Sequence, residues 1–188
     1  MAHITLPEGF PGITGPMAAY PEVRQPMNDL ANAVMVGASS LSQGERELIA
    51  TFVSARNECR FCMNSHAAAA RHLLGEESHL VEGVIRDLDT AQVSEKMRAL
   101  LEIAEKVRLD GRTVTPADVQ RARDAGADDR AIHDTVLITG MFGMFNRYVD
   151  GLATVLPLTE DYYEESGARI ATKGYGTRAY DQPFETRV

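Results

Sequence analysis

The chain has 188 residues, 44% hydrophobic and 24% charged, a balance that suits a globular domain and excludes a disordered chain. A formal net charge of -8 with no Lys/Arg run sets it against a phosphate backbone, so no nucleic-acid partner is expected. The start, Met1 to Leu6, lacks a basic segment leading into an apolar one, and Asp134, Asn146, Arg147 and Asp150 interrupt the longest apolar stretches. No secretion signal and no membrane span are therefore expected, and the expected location is cytoplasmic.

In chain order, residues 1–26 are rich in proline (Pro7, Pro11, Pro16, Pro21, Pro26) and show no sustained periodicity, which predicts an extended arm. From Met27 the pattern turns helical. Met27, Leu30, Ala31, Val34 and Met35 form an apolar stripe that Gly37 ends. Ser42 and Glu45 form a capping box opening a helix with Leu48, Ile49, Phe52 and Val53 inside. Asn57 is the expected cap of the next helix, which Gly75 stops after Leu74. A shorter helix is expected from Ser78 to Leu88, and Ser94 caps another through Met97, Leu101 and Ala104. Thr115-Pro116 starts a helix with proline in its first position. Asp128 or Asp129 begins the longest, which Pro157 is expected to terminate.

No segment alternates strictly with hairpin turns, so the fold class is all-α, with about six or seven helices over residues 27–157. Residues 158–188 hold Tyr162, Tyr163, Tyr175 and Tyr180 among many charges, and predict a tail able to pack on a neighbouring subunit.

The chemistry concentrates between Glu47 and His66. The two cysteines of the chain, Cys59 and Cys62, are three residues apart, too close for a structural disulfide framework. On a helix Cys59, Cys62 and His66 fall within an arc of about 60°, and Cys62 and His66 are an i, i+4 pair. A thiolate is the nucleophile, and His66 is the base that can make it from a thiol that is otherwise mostly protonated at neutral pH. The spacing also brings the sulfurs within disulfide range.

Other readings compete. Two small cysteines can be plain core, but a polar histidine shares their face. Zinc can use Cys59, Cys62, His66 and an acid, although structural sites usually draw ligands from two elements. Haem attachment needs His directly after the second cysteine, where this chain has Met63, and a thioredoxin-type motif needs a βαβ context. A redox dithiol without metal or cofactor fits best. No flavin, haem or nucleotide fingerprint is present, so electrons would arrive by thiol exchange.

The Glu-x11-Cys-x2-Cys-x3-His pattern, Glu47, Cys59, Cys62 and His66, resembles the AhpD-like alkylhydroperoxidases of the carboxymuconolactone decarboxylase superfamily. The resemblance is strongest from Leu41 to Leu74. Asn146-Arg147-Tyr148-Val149-Asp150-Gly151 resembles a segment of its peroxidase-related branch. It implies that Cys62 attacks a peroxide, Cys59 resolves the product as a disulfide, His66 relays protons and Glu47 tunes His66. It also implies a thiol or dithiol reductant and a homo-oligomer, a trimer or a multiple of one. The best-known members carry histidine where this chain has Phe61. Two other functions stay open: a decarboxylase-like enzyme acting on a small acid, as elsewhere in the superfamily, and a non-enzymatic redox sensor.

Overall fold

The computed structural model describes residues 2–177 and 183–184. Among them are nine α-helices and no strand: α1 (Thr14–Ala19), α2 (Pro21–Met35), α3 (Gln43–Arg56), α4 (Arg60–Leu74), α5 (His79–Arg86), α6 (Glu95–Asp110), α7 (Pro116–Asp124), α8 (Asp129–Gly151) and α9 (Asp161–Lys173).

Local signals place most of the boundaries. Ser42 and Glu45 form the reciprocal capping box of α3, Thr115 and Asp118 form another at α7, and the side chains of Ser94 and Asp128 cap α6 and α8. Each such cap is worth about 1 kcal/mol. Helix α3 lies at the centre, with Leu48, Ile49, Phe52 and Val53 essentially without exposure. Burying such side chains supplies roughly 1.5–3 kcal/mol each. Helices α6 and α8 cover one side of α3, while α4 lies between α3 and α9. The α4–α9 seam is closely packed. Ala68 and Ala69 are buried, and a Cβ on Gly167 would stand 2.6 Å from the Cβ of Ala68.

Several expectations are corrected. The helical region opens at Pro21, not Met27, because proline at the first helical position gives up an N–H that has no partner there anyway. The arm before it contains α1, and Phe10 and Met17 are buried. Pro157 does not terminate α8. Ala153, at φ 46°, does so earlier, letting the N–H of Thr154 reach back to the carbonyl of Val149. The expected tail forms α9 on its own chain's α4, with Tyr162 only 1% exposed. Tyr180 lies outside the described residues. The N-terminal segment is likewise held by its own chain, through His3 N–H to Leu152 and Gly12 N–H to Val155. No helix among the described residues is long and apolar enough to cross a membrane.

Candidate active site

The turn between α3 and α4 places the two sulfurs. Glu58 takes a left-handed conformation, φ 60°, and the N–H of Cys59 reaches back to the carbonyl of Ser54. That turn uses one more residue before a helix can restart. Cys59 therefore becomes the N-cap of α4, correcting both the expected Asn57 cap and the expectation that both cysteines are helical. Glu58 sits in this turn, exposed, and not in the first turn of α4. Cys62 is the third residue of α4, and His66 follows one turn later on the same face.

Both cysteines are free and buried. The Cys62 thiol is pushed well above its ordinary range, first by its hydrogen bond with Cys59 and then by burial, while a hydrogen bond with Asn146 pulls the other way. A thiol so placed does not ionise unaided at neutral pH; a base must take its proton. Cys59 also makes a hydrogen bond to Asp150 of α8.

A buried carboxylate stands behind the histidine. Glu47 of α3 is 2% exposed, and its Oε2 lies 2.7 Å from His66 Nδ1. The edge of the Phe142 ring meets the His66 ring at 4.5 Å between centroids and 86° between planes, which limits its rotation. Glu47 thus approaches His66 directly. Glu45 is occupied by the α3 capping box and an ion pair with Lys96.

Cys62, Ser65, His66 and Tyr175 line a cavity of about 80 Å³, whose apolar wall includes Ile13, Met17, Phe145 and Ile170. The volume has room for a few waters or a small peroxide. The Ser65 hydroxyl is buried with no hydrogen-bond partner among the described residues. Phe61 also lines the cavity, wedged against Gly12 and tilted onto Tyr162 and Tyr163, so the position between the cysteines is a packed aromatic wall. On the far side, Asn57, Asn146, Arg147, Asp150 and Gly151 line a second, open cleft. Asn146, buried, donates to Ser54 and accepts from Asn57, tying α8 to the end of α3 beside the sulfurs.

The remaining histidines do not join this cluster. His133 contacts Asp134, which also takes Ser39 and Arg130, and His72 lies near Glu164. Among the described residues no group of three or more His, Cys, Asp or Glu side chains is placed to hold a metal ion. Two residues at the site escaped the reading of the sequence. Ser65 carries no signal except its place before His66. Tyr175 arrives from beyond α9, and its only local mark is the glycine on either side of it.

Residues 21–106 match the model of the carboxymuconolactone decarboxylase family. A crystal structure of an uncharacterized peroxidase-related protein from Silicibacter sp. TM1040 is 30% identical, covering 82% of this chain and 78% of that one, with a TM-score of 0.73. An AhpD-core, peroxidase-related protein from Ralstonia eutropha JMP134 is 27% identical over 84% of this chain and 80% of that one, with a TM-score of 0.75. A protein of unknown function from Agrobacterium tumefaciens, at 22% identity, 76% and 96% coverage and a TM-score of 0.66, shares the fold. None of the curated proteins matches. Fold and matches together make the chain a member of the AhpD-like proteins of the carboxymuconolactone decarboxylase superfamily.

Proposed function

We propose that this protein is a thiol-dependent peroxidase, reducing hydrogen peroxide or small organic hydroperoxides through a Cys59–Cys62 dithiol/disulfide cycle. The observation that carries the reading is the buried Glu47–His66 pair beside a cavity on which Cys62, and not Cys59, opens.

The Nδ1 of His66 is engaged by Glu47, which leaves Nε2 to accept the proton of the Cys62 thiol. The thiolate attacks the outer peroxide oxygen, the O–O bond breaks, and the alcohol or water leaves with the proton held by His66. Cys62 becomes a sulfenic acid. The Ser65 hydroxyl, spare and on the cavity wall, can donate to the departing oxygen. Cys59 then attacks the Cys62 sulfur, its proton passing to Asp150 and on to the departing hydroxide, which leaves as water as the disulfide forms. A dithiol reductant returns both sulfurs to thiols by exchange, itself becoming a disulfide.

Purified protein should consume peroxide catalytically only when a dithiol donor is supplied. Formation of the disulfide without turnover, under any of a panel of peroxides and donors, would replace the enzyme with a redox sensor.

A further inference from the structure

Tyr175 reaches the Glu47–His66 pair from a part of the chain that the motif does not include. Its hydroxyl donates to Glu47 Oε1 at 2.6 Å and lies 3.3 Å from His66 Nδ1, and its ring stacks beside the imidazole, 6.2 Å between centroids and 21° between planes. The side chain is not there by chance of a loose end. Asn32 of α2 accepts from the Tyr175 N–H at 2.8 Å and donates to the Tyr175 carbonyl at 2.7 Å, gripping that one residue by both backbone groups. The glycines on either side, at φ 72° and 78°, take left-handed conformations that let the chain turn in and out around it. Part of Tyr175 meets solvent, but its hydroxyl ends on a carboxylate that does not.

The hydrogen bonds can be assigned one way only while the carboxylate is charged. Burial and the Glu47 charge push the Tyr175 phenol well above its ordinary range, so it keeps its proton and donates it to Oε1. His66 Nδ1 then faces two acceptors, the carboxylate Oε2 and the phenol oxygen, and must itself carry hydrogen. A protonated Glu47 could instead donate to Nδ1 and hand the imidazole the opposite tautomer, with Nε2 already occupied. The phenol works against that state, because a hydrogen bond given to the charged form of a carboxyl favours it.

We infer that Tyr175 is a positioning residue of the relay, holding Glu47 as carboxylate and His66 in the form whose Nε2 can receive the Cys62 proton. The inference rests on the relay proposed above, yet its test does not require peroxide turnover. In Tyr175→Phe the ring remains and only the hydroxyl goes. The hydrogen-bond arrangement of Glu47 and His66 should then be less strictly held, and the acid limb of Cys62 reactivity should move to higher pH. A neutral alkylating reagent such as iodoacetamide reads this limb directly, with Cys59→Ser as the background so that Cys62 alone reacts. The limb should rise by about one pH unit, equivalent to roughly tenfold lower reactivity on its slope. Nitrogen-15 spectra of His66, assigned against His66→Asn, should show the Nδ1–H form giving way at a correspondingly higher pH. Asn32→Ala, which loosens the grip while keeping the phenol, should shift both profiles in the same direction by less. Unchanged profiles in a folded Tyr175→Phe protein, or in Asn32→Ala should the first variant fail to fold, would overturn the inference. If wild-type protein shows no peroxide turnover but the profiles shift, the relay stands and the peroxidase reading falls.

Discussion

Two influences act in opposite directions on which sulfur attacks. Cys59, as N-cap, sits nearer the positive end of α4, and a helix terminus contributes about 0.3–1 kcal/mol to a nearby anion. Cys62 has the histidine one turn away and the cavity in front of it, and a positioned base contributes about 10²- to 10⁴-fold. In the mechanism proposed above, base and access outweigh the dipole. Cys59→Ser should therefore consume one equivalent of peroxide and stop as a sulfenic acid on Cys62, trapped by a dimedone-type reagent and located by mass spectrometry. Cys62→Ser should react at least about a hundredfold more slowly. A fast single turnover in Cys62→Ser, with the label on Cys59, would reverse the roles.

At the scale of elements, the α4–α9 seam bears most directly on the site. Gly167 lies so close to the backbone of Ala68 and Ala69 that any side chain must push the helices apart. Gly167→Val should destabilise the protein by about 1–3 kcal/mol, the usual range for overpacking, and denaturant unfolding will measure it. The same separation should carry Ile170 and the turn beyond α9 away from the cavity, so Cys62 alkylation should change in the variant even under strongly native conditions. Unaltered stability would mean that α9 is a loosely laid cover. The helices whose boundaries could be read from the sequence are those with signals inside a few residues, such as Ser42 with Glu45 and Thr115 with Asp118. Helices α1 and α9 were hidden because prolines, glycines and tyrosines there look like loop until the surface they cover is known. The cysteines and His66 were legible from spacing alone. Glu47 was not, since Glu45 and Glu58 lie as near in sequence and only the packing of α3 on α4 chooses among them; a family resemblance supplied that choice. Tyr175 is 109 residues from His66, and nothing local could join them.

The whole molecule feels the buried thiol through its stability. In the folded state the Cys62 pKa is raised, so the native protein holds this proton after the unfolded chain, with thiols near 8.5, has released it. The unfolded state thus binds fewer protons above that pH, and stability falls as pH rises. The stabilisation is complete below about pH 8.5 and declines by up to ~1.4 kcal/mol per pH unit above it. The disulfide form has no such proton to hold. Urea unfolding at pH 7.5 and 9.5 should show the reduced protein losing about 1 kcal/mol more than the oxidised one, below the range in which Tyr175 titrates. Equal losses would mean that the Cys62 thiol is not held protonated by the fold.

The grip of Asn32 on Tyr175 joins the second helix to the segment after the ninth, across the outside of the motif-bearing pair α3 and α4. The family match stops at residue 106, some seventy positions short of that tyrosine, counting from 106 to 175. Two relatives could therefore carry identical cysteines, histidine and glutamate and still differ in the acidity at which they work, because the adjusting group lies outside the stretch that the family model matches. For engineering, the Asn32–Tyr175 contact becomes a dial: substitutions at these two positions would retune the sulfur chemistry while the motif stayed untouched.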